Sequence, residues 1–395
     1  MLKRVLTAAV AAIGVIIATD VGFGVPSGAA LATPMAEADG ISISAKSAIL
    51  IDAMSGMVIF EKNAQKPMQI ASTTKILTAL VVLEQCNIDE TIEIRREWTG
   101  IEGSSMYLRA GEKLTVRDLL YGLLLHSGND AAVALACHSA GSIAEFAELM
   151  NARAAELGCT DSLFVNPHGL DATGHLASAA DLAKITAAAM ENEDFVAIVS
   201  TKYASIAGRS LKNHNKLLWN YEGTLGVKTG YTKSAGRSLV SCAERDGVRL
   251  ICITLSDPND WADHAALFDL GFSTVERRTL EKGTQLTATV PVLSGVKENV
   301  ALKTGAALSL TVRRGAEVEL VAEVPQFIYA VVVRGGYAGT ARVEADGEVV
   351  ARVPIFYTET VRRDETEPLT KWELFRRAWY RANEYGGYYR MGFYY

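Results

Sequence analysis

Ser72-Thr73-Thr74-Lys75, running into Ile76-Leu77-Thr78-Ala79-Leu80-Val81-Val82-Leu83, is the stretch from which the rest of the chain is read. Ile76, Leu77, Leu80, Val81 and Leu83 fall on or near one face at helical spacing, so Ser72 opens a helix. Residues three apart share a helical face, and Lys75 therefore reaches the Ser72 hydroxyl. A serine hydroxyl is a poor nucleophile until a neighbouring base takes its proton. A lysine is that base only if burial or another cation lowers its pKa, and the apolar run supplies burial. The helix N-terminus adds partial positive charge beside Ser72, which favours an oxyanion. Alone, the string is equally an ordinary helix start with a solvated lysine one turn on.

Outward from this point the pattern alternates. Ser47 to Lys62 places two apolar runs around a Met-Ser-Gly turn, a β-hairpin signature. Val116 to Met190 is rich in Ala and Leu at helical spacing, broken by Gly128, Gly141, Gly158 and the loop Asn166-Pro167-His168-Gly169, and reads as a cluster of helices. Leu239–Glu244 and Arg249–Leu255 flank Asp246-Gly247, a strong hairpin signal, and Trp261–Gly271 closes the region as a helix. Hairpin, helices, strands, helix predicts an α/β (α+β) architecture, an antiparallel sheet with strands from both ends of the domain, covered by helices. Strand-like runs at Gln285–Val292, Ala307–Val312, Val318–Val321, Ile328–Val333, Gly339–Val343 and Glu348–Val353 then predict a small all-β domain. The expected organisation is a leader over 1–38, a catalytic domain over 41–278, a β domain over 280–360, and a linker with an amphipathic tail over 361–395.

The first residues carry an export-type signal, and the tail carries an anchor-like pattern. Lys3 and Arg4 precede an apolar run from Val5 to Ala18, which is short against the ~20 residues of a membrane span. Ala30-Leu31-Ala32 and Ala36-Glu37-Ala38 are equally good cleavage sites for a secretory signal. In the tail, Trp372, Phe375, Trp379 and Ala382 keep helical spacing while Arg376, Arg377 and Arg381 line other faces, the pattern of an interfacial anchor. The tyrosines of the last ten residues suit a headgroup zone. The competing reading is a tail docked on the β domain or contacting the wall. Cys86, Cys137, Cys159, Cys242 and Cys252 are odd in number and without C-x-x-C spacing, so buried thiols are expected, with an opportunistic Cys242–Cys252 bridge left open. A net charge of −6 with no basic face argues against nucleic acid.

Two further motifs follow the first in order. Ser127-Gly128-Asn129 ends an apolar helix, where a hydroxyl and a carboxamide can relay a proton and bind a peptide carbonyl; a helix stop with an N-cap fits as well. Lys228-Thr229-Gly230 begins a strand, where Lys228 and Thr229 can fix a carboxylate and Gly230 clears a strand edge for substrate. A second pair, Ser294-Gly-Val-Lys297 and Lys303-Thr-Gly305, is discounted because it lies among strands and turns, with no S-x-N between its members. The histidines form no H-E-x-x-H, and no G-x-S-x-G elbow occurs.

Together the trio resembles the low-molecular-mass penicillin-binding proteins that are serine D-Ala-D-Ala carboxypeptidases. Ser105-Met-Tyr-Leu-Arg-Ala-Gly111, Ser127-Gly-Asn-Asp-Ala-Ala132, Pro167-His-Gly-Leu-Asp171 and Gly226-Val-Lys-Thr-Gly-Tyr-Thr232 carry the resemblance, which covers Ser47 to Gly271 well. It implies Ser72 as acyl-ester nucleophile, Lys75 as proton acceptor, Ser127 and Asn129 as helpers in proton transfer and positioning, and Lys228 and Thr229 as carboxylate holders. The backbone N–H groups of Ser72 and Tyr231 would form the oxyanion hole, beside Gly230. The implied partners are the peptidoglycan stem peptide ending in D-Ala-D-Ala and β-lactams as covalent inhibitors, with a membrane surface at the tail; no metal or organic cofactor is implied. One alternative is a β-lactamase, although Phe164–Asp171 holds no deacylating Glu. The other is a catalytically silent wall-binding or sensor protein.

Overall fold

A computed structural model of the chain describes residues 41–366, 370–372, 374–376 and the backbone of 388–391. The leader at 1–38 lies outside the described residues, as do Arg377, Trp379, Arg381 and Ala382 of the tail. Strands β1 (Ser47–Asp52) and β2 (Val58–Lys62) form the expected hairpin. A 3-10 turn, Ala71–Thr74, feeds helix α1 (Lys75–Gln85), so Ser72 stands on the tight turn just ahead of the α-helix. Two short strands, β3 (Thr91–Glu93) and β4 (Lys113–Thr115), pair before the helical cluster α2 (Val116–Leu125), α3 (Asn129–Ala140), α4 (Ile143–Glu156), α5 (Ala179–Ala189) and α6 (Glu193–Ser200). Thr115, Ser142, Ser178 and Asn192 cap α2, α4, α5 and α6 by accepting a backbone N–H three residues on, which explains where these helices begin.

A small hairpin of β5 (Tyr203–Ile206) and β6 (Arg209–Lys212) and a single-turn helix α7 (Leu217–Asn220) lead into β7 (Thr224–Thr232), β8 (Gly236–Arg245), β9 (Val248–Leu255) and α8 (Asp260–Thr274). The sheet runs β2-β1-β9-β8-β7, antiparallel throughout, so β7 is an edge strand. Asp246 and Gly247 both take positive φ, 50° and 76°, as the two-residue turn between β8 and β9 requires.

Alternation along these strands divides the core. Ile49, Ile51, Val240, Cys242, Ile251 and Ile253 face the helical cluster, while Leu50, Leu239, Ala243, Leu250 and Cys252 face α8 through Leu267 and Phe268. His264 of α8 is a buried core histidine, bonded to Ser241 Oγ and to Thr254 Oγ1 and held neutral by burial, which lowers its pKa to about 3. The same alternation removes the Cys242–Cys252 bridge. Cys242 pairs across from Ile251 and Cys252 from Ser241, so the two thiols lie on opposite faces of the sheet and both are free.

The second body follows α8 directly. Strand β10 (Val275–Leu280) pairs with β13 (Leu308–Arg313), and β11 (Gln285–Leu293), β12 (Asn299–Thr304), β14 (Val318–Pro325), β15 (Ile328–Tyr329), β16 (Tyr337–Ala345), β17 (Glu348–Tyr357) and β18 (Tyr388–Met391) form a sheet in the order β15-β11-β12-β17-β16-β14-β18. The run Ile328–Val333, read as one strand, is a strand only over its first two residues. Lys303-Thr-Gly305 sits at the end of β12: Thr304 Oγ1 donates to Glu281 O, and a Cβ at Gly305 would meet the Phe356 ring at 2.0 Å, so this copy of the motif is structural. Val361 and Arg363, read as linker, make bridges to Val332 and Gly295. In the tail, exposed Trp372 and Phe375 stack at 5.4 Å, and the backbone of Tyr388–Met391 adds an edge strand to β14. No helix among the described residues is long and apolar enough to cross a membrane.

Candidate active site

Lys75, at the first turn of α1, has no exposed surface. Its Nζ lies 2.9 Å from Ser72 Oγ, 2.8 Å from Asn129 Oδ1 and 2.5 Å from the His168 carbonyl oxygen. Burial drives its pKa well below the ordinary lysine value and the charge of Lys228 pushes the same way, against a smaller opposing pull from Asp130. A neutral amine keeps two N–H groups and one lone pair. Asn129 and His168 accept those two N–H groups, which leaves the lone pair for the Ser72 O–H to donate to.

The turn that carries Ser72 is held from several sides. Ala71 has a φ of 48°, a left-handed conformation that costs an alanine of order 1 kcal/mol or more. Thr74 Oγ1 donates to the Ala71 carbonyl at 2.8 Å, and His175 Nε2 lies 2.8 Å from the same hydroxyl. Because Val165 N donates to His175 Nδ1, the neutral ring carries its proton on Nε2 and donates it to Thr74. Burial keeps this histidine neutral, its pKa lowered to about 4. Gly169 packs so closely that a Cβ there would stand 1.9 Å from the Ala71 oxygen.

Ser127 also takes a positive φ, 63°, in the break between α2 and α3. Asn129 is the first residue of α3 and directs its side chain inward: Oδ1 accepts from Lys75 and Nδ2 donates to Glu102 O at 2.6 Å. Its neighbour Asp130 clamps the loop opposite. Asp130 accepts from Ser105 Oγ at 2.7 Å, Met106 N at 2.9 Å and Leu108 N at 3.0 Å. That network explains why the Ser105–Leu108 string accompanies the Ser127–Asp130 string.

On β7, Lys228 is buried and donates to the Thr229 carbonyl at 2.9 Å; burial lowers its pKa to about 7. Thr229, Gly230 and the exposed Tyr231 line the cleft, with Ser72, Ser104 and Ser127. A Cβ on Gly230 would lie 2.9 Å from Ile70 O and 3.1 Å from Ser72 N, so the missing side chain also makes room for the nucleophile turn.

The cleft holds about 800 Å³ and extends well past these motifs. Its far walls include Lys212, His214, Lys216, Trp219, Arg237 and Trp261, none of them singled out from sequence. Arg237, across β8 from Tyr231, is fixed by Asp260, with Nη2 2.8 Å from both carboxylate oxygens, and stands 5.6 Å from the Trp261 ring. One sequence signal existed: in Lys212–Lys216, exposed cations and His214 alternate with the buried Asn213 and Asn215. Among the described residues, Cys86, Glu90 and His138 form the one group whose ligand atoms could hold a metal, and none of them lines the cleft.

The architecture is that of the penicillin-binding proteins. Penicillin-binding protein 5 of Haemophilus influenzae superposes with a TM-score of 0.67 at 29% identity, covering 82% of this chain and 99% of that one. The chain belongs to the D-alanyl-D-alanine carboxypeptidase family of peptidase S11, whose sequence profile matches residues 32–259, and the profile of the penicillin-binding protein 5 C-terminal domain matches 275–363. Among its relatives are the D-alanyl-D-alanine carboxypeptidases DacF of Bacillus subtilis, 32% identical over 81% of this chain and 86% of that one, and DacC of Escherichia coli, 34% identical over 81% and 85%.

Gly230→Ala tests the close approach of β7 to the Ser72 turn. The variant is expected to fold, because the contact lies at a sheet edge, while acylation by benzylpenicillin slows about 10- to 100-fold from displacement of reacting groups. An unchanged acylation rate would show that the turn yields without consequence.

Proposed function

We propose that the chain is a serine D-Ala-D-Ala carboxypeptidase that removes the terminal D-alanine from peptidoglycan pentapeptide stems through an acyl-enzyme on Ser72. The observation that carries this reading is a fully buried lysine amine 2.9 Å from a half-buried serine hydroxyl that opens onto the cleft. Ser72 Oγ attacks the carbonyl carbon of the penultimate D-Ala while its proton passes to Lys75 Nζ. The oxyanion is met by the backbone N–H groups of Ser72 and Tyr231, fixed donors of a kind worth about 3–4 kcal/mol each. Collapse breaks the peptide bond, and the leaving amine takes the proton back from Lys75 by way of Ser127. Water then cleaves the ester and releases the shortened peptide.

For the substrate carboxylate, the positions of the side chains favour Thr229 and Arg237, both on the cleft wall, and assign Lys228 to holding down the pKa of Lys75. A β-lactam opened by Ser72 keeps its amine tethered, so no leaving group departs. Against a β-lactamase stands the loop that reaches Lys75: it offers the His168 carbonyl oxygen, and Phe164–Asp171 contains no Glu to activate water. A wall substrate also supports an extracytoplasmic location, in keeping with the leader-like first residues. At the tail, the exposed Trp372 and Phe375 rings, flanked by Lys371 and Arg376, favour contact with a membrane surface.

Mass spectrometry of the intact protein after benzylpenicillin is expected to give one stoichiometric adduct mapping to Ser72. Ser72→Ala should give no adduct and release no D-alanine from a pentapeptide; release by that variant would remove the assignment. The acylation rate should rise with pH as Lys75 loses its proton. Since the Lys228 charge helps to depress that pKa, Lys228→Met should move the rising limb to higher pH. A limb that stays in place would exclude the electrostatic role. Replacing Trp372 and Trp379 by Ala should weaken cosedimentation of the isolated tail with anionic liposomes, and equal binding would exclude an aromatic anchor.

A further inference from the structure

The cleft is larger than a terminal dipeptide requires, being of a size that encloses a whole drug-sized ligand. One corner of it is built unlike the rest. Tyr203 and Trp219, exposed by 59% and 37%, meet edge to face at 5.6 Å. The Lys212 ammonium lies 5.5 Å from the Trp219 ring and 5.8 Å from the Tyr203 ring, and Lys202 stands 5.9 Å from Trp219 on the same corner. Ring faces attract cations and restrict where these long side chains sit.

The backbone beneath the corner is fixed as well. Buried Asn213 donates to Val199 O at 3.0 Å and Thr201 O at 3.1 Å, and its own oxygen accepts from Asn215 N at 2.9 Å. Asn215 in turn accepts from Leu217 N at 3.0 Å. These bonds tie the segment that carries Lys212 to α6, and the segment ahead of Trp219 to α7. The chain as a whole carries a net charge of −6, so two ammonium groups around one ring of the cleft wall depart from its general balance. No carboxylate pairs with either lysine among the described residues.

We propose that the corner formed by Tyr203, Trp219, Lys202 and Lys212 binds the carboxylate-bearing part of the donor peptide upstream of the scissile bond, and so selects acidic stems over neutral ones. The inference rests on the carboxypeptidase reading and adds to it a determinant of donor choice. Apolar stems of an extended peptide would lie against the exposed rings while its carboxylates meet the ammonium groups. Attraction of this kind weakens with ionic strength, which a purely apolar contact does not.

The test compares two donors on the full chain: diacetyl-L-Lys-D-Ala-D-Ala, which has no upstream charge, and Nα-acetyl-L-Ala-γ-D-Glu-(Nε-acetyl)-L-Lys-D-Ala-D-Ala, which has one upstream carboxylate and no upstream cation. In the wild type, kcat/KM for the acidic donor should exceed that for the neutral donor and lose its advantage as salt rises. Lys202→Glu with Lys212→Glu should lower kcat/KM for the acidic donor about tenfold, as expected for two partly exposed charge contacts. The same variant should leave the neutral donor and benzylpenicillin acylation within about twofold. Trp219→Ala should lower the acidic donor selectively but less. Equal loss on both donors, or loss on neither, overturns the proposed corner. No D-alanine release from either donor by wild type, with no penicillin adduct, overturns the carboxypeptidase reading itself, a different result.

Discussion

The site depends on an amine kept out of water. A lysine with no exposed surface is costly to keep charged, and here a second cation nearby raises that cost further. The surroundings of Lys75 suit the uncharged form: two oxygens accept its N–H groups and a hydroxyl faces its lone pair. Burial thus does two things at once. It holds the pKa of Lys75 well below the ordinary lysine value, as a base requires, and it seats the base against the one hydroxyl that needs it.

Keeping that contact requires parts from across the chain. The 3-10 turn around Ser72 is strained at Ala71, and the relay from Val165 through His175 and Thr74 to the Ala71 carbonyl holds it in place. Gly169 closes one side of the turn and Gly230 the other, each at a separation that excludes a side chain. Asp130 fixes the facing wall by gathering a hydroxyl and two backbone N–H groups from the Ser105–Leu108 loop. None of these groups needs to touch substrate in order to matter for it, because together they set the distance between the nucleophile and the cleft wall.

Much of this was legible in the sequence where local chemistry and local structure coincide. The hairpins at Ser47–Lys62 and around Asp246-Gly247 announce themselves through turn residues and alternation, and the Ser72–Lys75 spacing encodes its own contact. Strand β12, Asn299–Thr304, was missed although Ser294-Gly295 and Thr304-Gly305 bracket it, because Asn299, Ala301 and Lys303 dilute its Val/Leu content. That Lys228 is buried while Thr229 lines the cleft could not be read from their adjacency, because successive residues on a strand point opposite ways. Arg237 and Trp219 were invisible for a related reason. They come from separate elements, and only the antiparallel order of β7 and β8 and the position of α7 beside β7 bring them to one cleft.

The tight seat of Gly230 against the Ser72 turn also limits how this pocket could be remodelled over evolutionary time. Strand and turn have no slack between them, so accommodating a bulkier acyl group by parting these two would move the attacking oxygen as well. Room for new substrates or for evading an inhibitor is more easily found on the bank where Tyr203 lines the cleft and is exposed to solvent. Variation among descendants of this enzyme should therefore gather on that bank and spare the glycine.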